Sequence, residues 1–209
     1  MIYKLLTKLR KNGKQNIMNN IRNWTVLFIG GASGTGKSTL AYEIAKFYGV
    51  NVLEVDDIEK IIKATTSKEL FPFLNYWDTG IDWKNISVDG NINWLINVSK
   101  EIIPALKAIV ERHIEDNVPI IIEGDFINPE FANSCKNNGV KNIFVIENDL
   151  NQIIQNYFQR EGGELQNYRA EISVEYGKWI KNECERMGIQ YFEPRPWDTQ
   201  LERIIKLLE

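Results

Sequence analysis

Long apolar runs separated by polar segments set the pattern of this chain. The runs Thr25–Gly30 (TVLFIG), Val50–Val55 (VNVLEV), Val118–Gly124 (VPIIIEG), Lys141–Glu147 (KNIFVIE) and Ile189–Glu193 (IQYFE) read as strands. Their apolar positions are mostly continuous rather than alternating, as in strands covered on both faces. Between them the apolar spacing widens to the period of a helix. That spacing predicts helices at Thr39–Tyr48, Asp57–Ala64, Asn93–Asn117, Asp149–Arg160, Arg169–Met187 and Leu201–Leu208. Asp57 in DDIEK reads as a helix N-cap, and Pro104 predicts a kink in the long helix. Strands alternating with helices imply an α/β fold of three layers, with helices on both faces of a five-stranded, mostly parallel sheet.

The first predicted strand runs into Gly31-Ala32-Ser33-Gly34-Thr35-Gly36-Lys37-Ser38. This matches G-x-x-x-x-G-K-[ST] at every position, between a strand and a helix as that motif requires. Glycines at Gly31, Gly34 and Gly36 let the backbone curl, so that the N–H groups of Ser33, Thr35 and their neighbours converge on phosphate oxygens. Lys37 would reach the β- and γ-phosphates, Ser38 would ligate Mg²⁺, and Thr39 would contact the α-phosphate. The implied cofactors are ATP and Mg²⁺.

Ligands of open α/β sheets bind beyond the carboxyl ends of the strands. Asp56 and Asp57 lie at one such end, and Glu123 and Asp125 at another. A phosphoryl transferase needs a group to take the proton of the acceptor hydroxyl and acidic help for Mg²⁺. Asp56 is the candidate base, and Glu123 or Asp125 the Mg²⁺-side or acceptor-orienting group, with Glu123 placed beside Ser38 as the metal-side carboxylate. Asp125 also reads as a plain turn residue after Gly124. Arg160 and Arg169 flank EGGE (Glu161–Glu164) and suit a closing lid, residues 160–169, whose arginines neutralise charge on the transferred group. Two solvated helix arginines are the competing reading. Residues 71–94 hold Trp77, Trp83 and Trp94 and read either as a hydrophobic cap or as an aromatic wall around an organic acceptor.

Composition narrows the class. The chain has 209 residues, enough for a sizeable core, and 44% hydrophobic with 25% charged residues is ordinary for a globular protein. A net charge of −3 argues against a general nucleic-acid binder. No run approaches the ~18 apolar residues of a membrane span, and the start is too short for a signal-peptide core, so a cytoplasmic location is expected. Residues 1–23 are basic and read as an extension ahead of one domain, residues 24–209. Cys135 and Cys184 have no metal-ligand spacing and are expected to be reduced. The lone His113 is expected to be a satisfied surface residue.

Together GGASGTGKSTLA, VLEVDDIEKIIK, PIIIEGDFINPEFA and GIQYFEPRPWDTQLERI make the chain resemble P-loop kinases of the 2-phosphoglycerate kinase-like group. The wider relatives of that group include zeta-toxin-type and chloramphenicol-phosphotransferase-type kinases. The resemblance implies a nucleoside-monophosphate-kinase-like P-loop fold. It implies that Asp56 faces the acceptor hydroxyl, that Glu123 and Asp125 line the acceptor and Mg²⁺ side, and that Arg160 and Arg169 are lid arginines. It also implies that the EPRPWDT loop lies beside the adenine, at Arg195 and Pro196. Val55 and Asp57 stand where the group often has Thr and Ser around the aspartate. The 71–94 segment matches no part of the group. Lys84 is its only basic residue, too few for an acceptor as small and anionic as phosphoglycerate.

The leading reading is therefore an ATP-dependent phosphotransferase acting on a hydroxyl of a small organic acceptor. Nucleoside or nucleotide kinases remain open, although the 71–94 segment offers no arginine for an acceptor phosphate. So does a non-kinase ATPase or nucleotide-gated switch, although no N/T-K-x-D guanine motif is present.

Overall fold

The computed structural model describes residues 22–136 and 139–209. Apart from Arg22 and Asn23, the expected basic extension lies outside the described residues. In chain order the elements are β1 (Val26–Gly31), α1 (Lys37–Tyr48), β2 (Asn51–Glu54), α2 (Val55–Thr65), α3 (Val88–Glu115), β3 (Ile120–Gly124), α4 (Pro129–Ser134), β4 (Val140–Val145), α5 (Leu150–Glu161), α6 (Asn167–Met187), β5 (Tyr191–Phe192) and α7 (Gln200–Leu208). Short 3₁₀ turns occupy Tyr76–Thr79, Trp83–Asn85 and Trp197–Thr199.

The sheet has five strands in the order β2-β3-β1-β4-β5, and every pairing is parallel. Sequential strands are thus not all neighbours. β1 lies between β3 and β4, in register from Val26 opposite Ile120 and Val140. This reversal of strand order opens a crevice at the carboxyl ends of β1 and β3.

The period of two in β1 divides the core. Val26 and Phe28 face one layer with Ile122, Phe144 and the apolar stripes of α3 and α6. Leu27 and Ile29 face the other, with Leu40 and Ile44 of α1 and Ile204 and Ile205 of α7. β1 and β3 are buried along their whole length. β2 is an edge strand with one neighbour and remains half-exposed, so its apolar run does not mean burial on both faces. A smaller cluster of Ile153, Ile154, Tyr157, Ala170 and Val174 joins α5 to α6.

Several boundaries differ from the pattern. Helix α2 begins at Val55, directly after β2, with Glu54 at its N-cap and no side-chain cap. Asp57 is therefore an exposed first-turn residue rather than the N-cap. Helix α3 begins near Ser87, whose hydroxyl accepts from Gly90 N–H, and runs on through Pro104. Helix α4 was absent from the periodicity because it is only six residues long. His113 Nδ1 donates to Val118 O at 2.7 Å, a satisfied helix-end histidine. Cys135 and Cys184 are free thiols.

Candidate active site

The loop between β1 and α1 is built to receive an anion. Gly36 is the N-cap of α1, with φ 85° in the left-handed region, and it supplies no side-chain cap. The first N–H groups of α1 are thus left for a ligand, at the positive end of the helix dipole. By contrast, Asp149 caps α5 and Asn128 caps α4 with their own side chains. A Cβ at Gly36 would lie 2.9 Å from the Trp197 ring, so this position excludes a side chain twice over. Thr35 Oγ1 donates to Ala32 O at 3.0 Å, and Asn156 Nδ2, from α5, donates to Gly34 O at 2.8 Å. The loop is braced from within and from α5.

Lys37 is buried, with Nζ paired to the Asp125 carboxylate and 3.4 Å from Ala32 O. Burial alone would lower its pKa. The carboxylates of Asp125, Glu123 and Asp56 outweigh that, and the net shift is upward. The ammonium stays charged. Glu123, at the end of β3, accepts a 3.0 Å hydrogen bond from Ser38 Oγ on Oε1. Its Oε2 is buried with no hydrogen-bond partner among the described residues. Burial pushes the Glu123 carboxyl above its ordinary range, partly countered by Lys37 and Ser38. A buried carboxylate oxygen without a partner is costly unless something fills the gap. With the Ser38 hydroxyl beside it, the pair fits Mg²⁺, which takes hard oxygen ligands and completes its octahedron with phosphates and water. Among the described residues, no cluster of three or more His, Cys, Asp or Glu side chains forms a self-sufficient metal site.

Asp56 stands in the first turn of α2 and is exposed. Its carboxyl is raised, first by partial desolvation and then by Asp125, against the pull of Lys37. Asp125 follows β3, and its backbone carbonyl accepts from Tyr176 OH at 3.1 Å.

Two cavities lie near the Lys37–Asp125 ion pair. The first, about 610 Å³, has Gly34, Gly36, Lys37 and Ser38 on one side and Asn156, Arg160 and Trp197 on the other. The second, about 270 Å³, has Ser33 and Asp125 in its wall, with Trp77, Trp83, Trp94 and Tyr157 around it. Lys37 belongs to the first wall and Asp125 to the second.

The aromatic wall is held by contacts distant in sequence. The Glu101 carboxylate of α3 accepts from the backbone N–H groups of Phe73 (3.1 Å) and Leu74 (2.8 Å). Trp94 Nε1 donates to Phe73 O at 2.8 Å, and its ring meets Trp77 at 4.8 Å. Trp83 stacks on Tyr168 of α6 at 6.0 Å and 11°, while Tyr168 OH donates to Ile86 O. Segment 71–94 and the start of α6 thus meet. On the lid, the Arg160 and Arg169 guanidinium groups lie 5.2 and 4.3 Å from the Tyr157 ring centre. Both pair with the same carboxylate, Glu161. Hydrogen bonding from Gln166, and then from Arg160 with the charge of Arg169, lowers the Glu161 carboxyl to about 2. Gly162 and Gly163 follow with φ 67° and 76°, the turn that lets α6 fold back beside α5.

Of the residues singled out in the sequence, Asp56, Glu123 and Thr35 line neither cavity, and most of the others divide between the two. Gly34, Gly36, Lys37, Ser38, Thr39 and Arg160 line the larger cavity. Ser33, Asp125, Trp77, Trp83 and Arg169 line the smaller one. Gly31 ends β1, where a Cβ would strike Val145 O at 2.5 Å. Arg195 lies elsewhere. Its guanidinium is held by Glu147 at 2.7 Å and Asp149 at 3.3 Å, and neither it nor Pro196 lines the larger cavity. Trp197 and Gln200 do. Arg203 fixes that loop by donating to the carbonyls of Glu193 (2.9 Å) and Pro194 (2.6 Å). Trp197, Asn156, Glu101, Tyr168 and Glu161 were not singled out. Trp197 was within reach of the sequence, as the aromatic residue of EPRPWDT. The others act through partners far along the chain.

The all-parallel 2-3-1-4-5 sheet with a glycine loop after its central strand decides the architecture. The fold is that of the P-loop kinases. Shikimate kinase from Acinetobacter baumannii, solved with shikimate, superposes with a TM-score of 0.55 at 12% identity, covering 90% of this chain and 93% of that one. TT1252 from Thermus thermophilus gives a TM-score of 0.51 at 19% identity, covering 87% and 94%. In sequence, the chain is 31% identical over 109 residues to 2-phosphoglycerate kinase of Methanopyrus kandleri, covering 50% of this chain and 33% of the relative. With 2-phosphoglycerate kinase of Methanocaldococcus jannaschii it shares 33% over 108 residues, covering 50% and 35%. The chain spans about a third of the length of these relatives. No protein-family model matches it. Among the described residues, no helix is long and apolar enough to cross a membrane.

Proposed function

We propose that this chain is a Mg·ATP-dependent phosphotransferase acting on a hydroxyl of a small organic acceptor. One observation carries the reading: a phosphate-receiving cavity and an acceptor-sized cavity lie on either side of the single ion pair Lys37–Asp125. Similarity to enzymes named 2-phosphoglycerate kinase supports the same class of reaction.

The uncapped N–H groups of α1 and the charged Lys37 hold the β- and γ-phosphates. Ser38 and Glu123 hold Mg²⁺, which when bound neutralises phosphate charge and so favours transfer. Asp56 takes the proton of the acceptor hydroxyl. Its raised carboxyl is a better proton acceptor than an ordinary aspartate. The acceptor oxygen then bonds to the γ-phosphorus as the bond from that phosphorus to the bridging oxygen breaks, and ADP leaves. Asp125 keeps Lys37 aimed and stands where the acceptor enters. Arg160 and Arg169 move from Glu161 onto the transferred group, and Trp197 covers the nucleotide side of the loop.

The test is Mg·ATP consumption with and without a pool of hydroxylated small molecules, read by mass spectrometry for a gain of one phosphoryl group. Acceptor-dependent turnover that disappears with Lys37→Ala is expected. Acceptor-independent hydrolysis alone would overturn the proposal in favour of a nucleotide-gated switch.

A further inference from the structure

The wall of the smaller cavity says what kind of molecule belongs there. Trp77, Trp83, Trp94 and Phe126 supply flat apolar surfaces. Such surfaces bind the C–H face of a saturated ring or the plane of an aromatic one. The cavity volume of about 270 Å³ suits a single ring and lies just below the range of drug-sized pockets, ~300–1,000 Å³.

The charges in the wall point the same way. Among the described residues, one cation, Arg169, and one anion, Asp125, line it. Arg169 is held at rest by Glu161 and Gln166 and serves the transferred group in the proposed reaction, while Asp125 meets Lys37 through Oδ1. A phosphate monoester carries nearly two charges and is recognised through several charge-assisted donors, typically bidentate arginines. This wall has no surplus cation for it. It offers acceptors instead. Asn91 Nδ2 donates to the carbonyls of Trp83, Ile86 and Ser87, which fixes that side chain, and among the described residues no hydrogen bond to its amide oxygen is formed, so that oxygen can accept from a ligand. With Ser33 and Asp125, that oxygen suits a molecule that donates from hydroxyls rather than one that presents anionic oxygens.

We infer, resting on the phosphotransferase reading, that the acceptor is an unphosphorylated, single-ring alcohol with an apolar face, and that phosphorylated acceptors are rejected. The chemistry is shared by two sources, sugar or cyclitol rings and the rings of nucleosides.

The experiment uses the full chain and six probes: glucose, myo-inositol, shikimate and uridine against 2-phosphoglycerate and UMP. Each is scored for phosphoryl gain with Mg·ATP and, without nucleotide, for saturable change in tryptophan fluorescence. At least one unphosphorylated ring is expected to show a kcat/KM at least 100-fold above both phosphorylated probes. Trp77→Ala should raise its KM tenfold or more while the KM for ATP moves less than twofold. If Trp77→Ala does not fold, Trp83→Phe, which keeps a ring, should raise the acceptor KM by a smaller factor. Glucose and inositol against uridine distinguish the two sources. Faster transfer to 2-phosphoglycerate or UMP would overturn the inference and leave the kinase reading standing. Saturable fluorescence change by an unphosphorylated ring, without transfer from bound ATP, would uphold the inferred ligand and overturn the kinase reading. No transfer and no fluorescence change with any unphosphorylated ring would overturn the inference.

Discussion

Lys37 and Asp125 form an ion pair in which the lysine is buried, so removing either leaves the other without its partner. Lys37→Ala should abolish phosphoryl transfer while circular dichroism shows the fold retained. Asp56 tests the base directly because it is exposed and its removal strands no buried charge. Asp56→Asn should lower kcat by ~10²–10⁴ at saturating Mg·ATP, and undiminished turnover would refute the assignment. Glu123 gives a prediction with a definite sign. Its carboxyl is raised by burial, so its folded pKa exceeds the unfolded value of about 4.3. Folding therefore favours the protonated form. The contribution is fully present below the unfolded pKa and is lost as pH rises through the folded one. Glu123→Gln removes that loss. In the absence of ligand, the variant should melt above wild type at pH 7, with the difference shrinking toward pH 4. Its Mg²⁺-dependent turnover should fall by roughly 10²-fold. A lower melting temperature at pH 7 would mean that Glu123 is held by its neighbours rather than waiting for a cation.

At the scale of elements, the lid carries a contact whose strength is set by one exposed carboxylate. Glu161 binds Arg160 and Arg169, and one of those arginines lines each cavity. In the proposed reaction both would leave Glu161 to reach the transferred phosphate. Glu161→Gln weakens the resting contact, so the KM for Mg·ATP should fall by roughly 2–5-fold, the lifting of a conformational cost on binding. With its carboxyl near 2, Glu161 is ionised throughout the working range, so the effect should be flat from pH 6 to 9. Arg160→Ala should instead lower kcat by ~10²–10³ and change the KM for ATP far less. The lid also marks how far the sequence could be read. Arg160 and Arg169 stood out because they bracket a glycine pair, whereas EGGE itself gave no hint that its first residue binds both. The phosphate loop was legible because its chemistry is contiguous in eight residues. The end of β2 was less so. Val55 belongs to the apolar run yet turns into α2, wedged so close to Gly124 that a Cβ there would meet it at 2.7 Å. Helix α4 escaped because six residues show no period, although Asn128-Pro129-Glu130 is an N-cap followed by an N1 proline. Arg195 illustrates the remaining limit. Its partners Glu147 and Asp149 lie more than forty residues away, and only the folded chain brings them together.

At the scale of the molecule, strand order decides where these residues meet. The alternation of apolar runs and helices was enough to predict an α/β sheet, because each strand's burial is written in its own residues. The 2-3-1-4-5 order is not written there, since the phosphate loop at the end of β1 and Glu123 at the end of β3 are separated by the whole of β2, α2 and α3. That order would make a nucleotide in the larger cavity a cross-link. A ligand in the larger cavity touches α1, the lid helix α5 through Asn156 and Arg160, and the loop before α7 through Trp197. Binding to all three at once should stabilise the fold as a whole rather than one loop. At a concentration of 100 times its Kd, a ligand selective for the folded state adds about 2.7 kcal/mol, which for a domain of this size raises Tm by roughly 5–10 °C. Differential scanning fluorimetry with Mg·ATP should show that shift in the wild type. Lys37→Ala should lose most of it. Trp197→Ala should lose part, because the phosphates still bind while one side of the cavity is uncovered. A full shift in Lys37→Ala would place the nucleotide elsewhere on the molecule and undo the assignment of the loop.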